Sequence, residues 1–174
     1  IVTAMGLQWA LFTESFFKQW WNQEENTMWE YVDVNIYSLL QALYAISAVL
    51  ISFGACIGKI TPTALIVMTI FELACHSLNY AVLMGGVMRI SDIGGTYIDH
   101  MFGAYFGLAV SYMVGKPKAD DKDHAGGAVP DVFSLIGTLF LWVYWPSFVT
   151  GAMEADSGKQ HRAIVHVILA LAAS

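Results

Sequence analysis

Charge is what this chain has least of. Asp, Glu, Lys and Arg make up 13% of its 174 residues, against about 25% in an ordinary soluble domain. Too few polar side chains remain to cover a globular surface. With 57% hydrophobic residues and a mean hydropathy of +0.57, a bilayer is the expected solvent. The net charge of −6 is spread over loops, with no basic patch or aromatic-interleaved basic stripe, so nucleic acid is excluded as an expected partner. Zinc-ligand spacing, a nucleophile elbow and a Gly-rich phosphate loop are all missing. No metal, no cofactor and no enzymatic activity are therefore expected. The two cysteines, Cys56 and Cys75, each sit inside an apolar run. They read as free packing residues; paired, they would cross-link two helices within the membrane.

The opening, IVTAMGLQWALF, has no initiator Met, no charged n-region and no small-residue cleavage site, so it does not read as a signal peptide. Both ends stop within apolar runs, and an internal fragment is the expectation.

What is present is a series of apolar runs at membrane-spanning intervals: about 1–17, 36–58, 62–88, 96–114, 132–153 and 163–174. The run from Ile36 to Gly58 carries no charge and would be about 35 Å long as a helix. These runs are too long for strands, and in lipid every backbone polar group must be satisfied within its own segment, which forces helices. The expected fold class is all-α: a polytopic transmembrane helix bundle, with four complete helices flanked by two truncated ones, in one membrane domain. A soluble bundle of buried helices is the alternative. Basic residues divide evenly between the two sides, so orientation is not signalled, although Trp20, Trp21 and Trp29 mark an interface.

A charged group at bilayer depth costs at least about 2.5–3.5 kcal/mol and must face protein or water. Two helices carry such groups. On the third run, Thr69, Glu72, His76 and Asn79 recur at helical spacing, and Glu72 and His76 are four apart and able to pair. The stripe reads either as the lining of an aqueous vestibule or as an interhelical hydrogen-bond network. Phe71 lies about 100° round from it. On the fourth run, His100 shares a face with Thr96, Gly103, Ala104, Gly107 and Ser111, a small-residue stripe that lets helices approach closely, so His100 is expected to look into the bundle. Asp99 lies about 100° away, on the face of Asp92 and Gly95. Asp92 precedes the helix start, where a carboxylate accepts from unpaired N–H groups.

The stretch DIGGTYIDHMFGAYFGL (92–108) resembles the signature of the Rhesus glycoprotein branch of the ammonium transporter family. IGTLFLWVYWPSFVTGA (136–152) looks like the same family's next helix, and ISFGACIGKITP (51–62), MGLQWALF (5–12) and GKQHRAIV (158–165) match further pieces in order. The resemblance implies that His100 is the first of a pair of pore histidines. It implies that Phe148, with Phe71, forms a hydrophobic gate, and that Asp92 shapes the pore and cation-recruitment region; Glu72, as an acid on the polar stripe, is a further candidate for enriching cations near the mouth. It also implies an eleven- or twelve-helix bundle with inverted repeats, assembled as a homotrimer or a heterotrimer with related subunits, in the plasma membrane. Asp99 departs from the family's usual apolar residue, and either alters the protonation of His100 or faces a neighbouring helix.

The resulting expectation is a channel or transporter for ammonia and ammonium, with carbon dioxide as a further candidate cargo. Two alternatives stay open: a non-conducting Rhesus-type structural membrane subunit, and a proton-coupled transporter of another substrate using Glu72, His76 and Asp99.

Overall fold

The computed structural model describes residues 1–22, 32, 34–85, 88–117 and 126–174. Trp29, Lys118 and Lys122, which entered the interface and orientation readings, lie outside the described residues. Among the described residues there are six α-helices and no strand. The chain divides into two compact units, Ile1–Lys118 and Ala119–Ser174.

In the first unit, α1 spans Val2–Asn22. It runs on past the expected stop at Phe17 because nothing in Lys18–Trp21 breaks a helix, and rings continue to pack along it, Phe17 against Trp20 and Trp20 against Trp21. Helix α2 covers Ile36–Cys56 and begins with a capping box. Asn35 Oδ1 accepts the N–H groups of Tyr37 and Ser38 at 2.9 and 3.0 Å, and Ser38 Oγ accepts the Asn35 N–H at 2.8 Å. The helix stops two residues before Gly58, whose φ of 73° turns the chain out.

Helix α3 covers Pro62–Tyr80, with Thr61 capping Ala64 N at 3.2 Å and Pro62 in the first turn, where its missing N–H is harmless. A wider, π-helical turn over Ala81–Gly85 prolongs it. A second such turn, Thr96–Met101, leads into α4, Phe102–Val114.

The core of this unit is built from small side chains. Ala10, Ala42, Ala45, Val49, Cys56, Met68 and Leu73 form its buried centre. Between lipid-soluble helices, close van der Waals contact replaces the hydrophobic effect as the main attraction. Gly103 and Gly107 provide that contact: a Cβ on them would stand 2.6 Å from the Ala48 carbonyl oxygen and 2.7 Å from Ser52 Cα. Gly103 and Gly107 of the small-residue stripe therefore lie directly on α2, whereas Ala104 and Thr96, placed on the same face in the sequence, are exposed. Polar bonds stitch α1 to α3, with Trp9 Nε1 donating to the Ile70 carbonyl at 2.9 Å and the Thr13 and Ser77 hydroxyls 2.8 Å apart. Cys56 is buried and Cys75 exposed, both free.

In the second unit, α5 covers Ala128–Thr150 and α6 covers Gly158–Ala173. Each starts a few residues before its apolar run, α6 because Ser157 caps Gln160 N at 3.1 Å. Pro146 sits inside α5 and removes one backbone donor. The Thr150 hydroxyl donates back to the Pro146 carbonyl at 2.8 Å. Gln160 ties the two helices, donating from Nε2 to the Thr150 carbonyl at 3.3 Å.

Among the described residues, three helices are long and apolar enough to cross a membrane: Ile36–Cys56, Pro62–Gly85 with its π-helical end, and Ala128–Thr150. The architecture is a transmembrane helix bundle.

Candidate functional site

The wide turn before α4 is organised by one carboxylate and one glycine. Asp92 Oδ1 accepts the Thr96 N–H at 2.8 Å, and its Oδ2 accepts those of Tyr97 and Ile98 at 2.8 and 2.9 Å. A negative charge is thus placed against the positive end of the helix, where it is stabilising. Gly95 adopts the left-handed conformation, φ 69°, a region open chiefly to glycine. Its carbonyl accepts from Asp99 N and from His100 N, each at 2.9 Å. The second bond spans five residues and makes this turn wider than an α-turn.

That same carbonyl lies 3.1 Å from His100 Nδ1. A carbonyl only accepts, so Nδ1 carries the hydrogen, and in the neutral ring Nε2 is the accepting nitrogen. The imidazole is half-buried and locked in one tautomer by its own helix end.

Asp99, the neighbour of His100, points the other way. It is 4% exposed, and its Oδ1 meets His76 Nε2 of α3 at 2.9 Å. The His76 ring stands edge-on to Phe102, centroids 5.4 Å apart. Of the two readings left open for Asp99, the structure has it facing a neighbouring helix.

Glu72 is fully buried. The expected pairing of Glu72 with His76 along α3 is not formed. Packing of α2 on α3 brings Ser52 against Glu72 instead, and the wide turn brings Asp99 to His76. Ser52 Oγ is bonded to Glu72 Oε1 and lies 2.7 Å from the Gly103 carbonyl. Glu72 Oε2 and His76 Nδ1 are buried and have no hydrogen-bond partner among the described residues. Thr69, also buried, donates to the Leu65 carbonyl at 2.8 Å. The stripe on α3 is therefore bonded to other helices at Glu72 and His76 and within its own helix at Thr69, and all three are buried.

Phe71 is 66% exposed on α3. Phe148 belongs to the second unit, half-buried and stacked on Trp145 at 5.1 Å. Among the described residues, no group of three or more His, Cys, Asp or Glu side chains is placed to hold a metal.

Two residues that organise the site escaped the reading of the sequence. Ser52 is the only serine among the buried residues of α2, one helical turn from Val49 and Cys56, and that spacing was its signal. Gly95 was read as one member of a face, although two adjacent glycines before a helix signal a left-handed turn.

A sequence model described as the Ammonium Transporter Family matches residues 6–174. The chain is 35% identical over 176 residues to the zebrafish (Danio rerio) protein named ammonium transporter Rh type C-like 2, covering 100% of this chain and 34% of that one. It is also 35% identical over 175 residues to ammonium transporter Rh type C of the dog (Canis lupus familiaris), covering 99% and 36%. The same identity and length hold for ammonium transporter Rh type C of Xenopus tropicalis. The chain spans about a third of the length of the curated relatives it matches.

Proposed function

The chain belongs to the ammonium transporter family and to an integral membrane protein, and from that premise we propose that the full-length protein carries ammonia across the bilayer past His100. Ammonium loses its proton before the neutral molecule enters a dry pore. Stripping the ion of water in a low-dielectric lumen costs many kcal/mol, more than the ~2 kcal/mol that one aromatic face returns. Losing the proton removes most of that penalty.

The observation that carries this reading is the bond from His100 Nδ1 to the Gly95 carbonyl. It holds a half-buried imidazole in one orientation with Nδ1 as the donor; in the neutral ring Nε2 is then an acceptor for a small N–H donor. Asp92 and Glu72 serve as pore-shaping residues: Asp92 spends both oxygens on three backbone N–H groups, and Glu72 is sealed between helices. Phe71 and Phe148 are proposed as the water-excluding gate, completed in the whole protein. Carbon dioxide is a further proposed cargo. Both units belong, on this reading, to one domain of a trimer, homomeric or mixed with related subunits, in the plasma membrane.

Replacing His100 with Ala and measuring methylammonium flux in vesicles tests the proposal. Flux is expected to be lost with assembly intact; flux equal to the unmutated protein would end it.

A further inference from the structure

His76 and Asp99 meet at the turn that carries His100, yet neither lies among the groups assigned to conduction. Both are buried, 2% and 4% exposed, and an acidic side chain at bilayer depth is costly enough to need a reason. The backbone bonds to Asp92 and to the Gly95 carbonyl lie within the turn and the loop before it. They fix the shape of the turn. They do not fix where it sits against its neighbours, and a turn wider than an α-turn has no ordinary helical register to do so.

A chain of contacts supplies that placement. His76 Nε2 of α3 meets Asp99 Oδ1 at 2.9 Å. The other oxygen of Asp99 lies against Gly95, where a Cβ would be driven into Oδ2. The Gly95 carbonyl in turn accepts the Asp99 and His100 N–H groups, each at 2.9 Å, and the Nδ1 hydrogen of His100 at 3.1 Å. The His76 ring is steadied edge-on by Phe102, which stacks on Phe106 with centroids 5.9 Å apart. We propose that His76 and Asp99 are positioning residues for His100: their hydrogen bond anchors the wide turn to α3 and thereby sets the place and the tautomer of the pore imidazole. This role rests on the reading of His100 as the group that ammonia passes.

Apolar contact alone would hold the turn less exactly. Ile98 is buried too, but the hydrophobic effect is non-directional, whereas a hydrogen bond weakens steeply when its angle is lost. The bond from His76 therefore supplies direction. His76 Nδ1 is buried without a hydrogen-bond partner among the described residues, so Asp99 is the polar anchor of that ring. Removing one partner leaves the other buried and unpaired, which is costly, while replacing both with apolar groups of similar size is often neutral for stability. Folding and positioning can thus be separated: apolar replacement of both residues keeps the bundle and releases the turn.

The test uses the full-length protein in phosphatidylcholine vesicles, with methylammonium flux and nitrogen NMR of isotope-labelled histidine read on the same samples. The His100 signal is assigned by its absence from H100A. H76A and D99A are each expected to lower flux about tenfold, with H76A/D99A no worse than either, because the same bond is lost in all three. H76Q and D99N keep a donor opposite an acceptor and are expected to restore most of the flux. H76L/D99L, which leaves neither partner buried and unpaired, is expected to assemble as the unmutated protein does while its His100 signal moves from the Nδ1–H tautomer to a mixture. That variant carries the test where the alanine variants fail to assemble. Unchanged flux and signal in H76L/D99L, losses that multiply in H76A/D99A, or no restoration in H76Q and D99N would overturn the role. H100A separates the two failures: unchanged flux there ends the ammonia reading, whereas lost flux there with normal flux and signal in H76L/D99L ends the positioning role alone.

Discussion

Gly95 ties both halves of the site together. Its carbonyl takes the N–H groups of Asp99 and His100 and the ring of His100, while its α-carbon, bare of a side chain, lies against the Asp99 carboxylate. Gly95→Ala meets two penalties at once: a left-handed φ costing about 1–3 kcal/mol and a Cβ driven into Asp99. The expected outcome is a lower thermal transition for the purified full-length protein, together with reduced methylammonium flux. An unchanged transition would show that the turn is held by something else. The capping by Asp92 was legible in the sequence because an aspartate before a helix start has few physical explanations. The partner of Asp99 was not. Face assignments at 100° per residue presuppose an α-turn, and the bond from His100 N to the Gly95 carbonyl makes this turn wider. Glu72 misled for a related reason: spacing along one helix offers His76 as a partner, whereas the actual partner, Ser52, comes from a helix whose proximity no local pattern encodes.

The contact between α2 and α4 depends on two side chains that are absent. Gly107→Leu would thrust a branched group into Ser52, whose Cα already stands 2.7 Å from where a Cβ would begin. Overpacking of this kind costs about 1–3 kcal/mol, and more where backbone is the obstacle. Loss of the monodisperse peak in detergent gel filtration is expected, whereas Ala104→Leu, on the exposed side of α4, should leave the peak in place. Equal behaviour of the two variants would contradict the packing described. Gly103 and Gly107 announced this contact in advance, since close approach of helices needs small residues, while Ala104, expected on the same face, is exposed. The exact starts of α5 and α6 were less legible, because Gly127 and Ser157 are polar or neutral and the apolar run that marks a helix begins only after its first turn.

The second unit shows how much surface the chain leaves to its surroundings. None of the membrane-length window of α5 is buried, and Phe133, Phe140, Trp142 and Tyr144 are each at least half exposed. Apolar surface of that extent belongs against lipid or other helices. Native mass spectrometry of the full-length protein from detergent is expected to show a trimer; a monomer under conditions that preserve flux would refute the proposed assembly. Helical content and membrane destination were readable throughout, because charge is so scarce and the runs so long. Which helix touches which was not, since apolar stripes look alike from every side. The turn at Thr96–Met101 carries a last consequence for the molecule. It holds one surplus residue, and deleting Met101 would wind it back to ordinary pitch, swivelling all that precedes it by about 100° against α4. Aspartate and histidine would slip out of their seats together, so a single missing codon here should silence both without removing either.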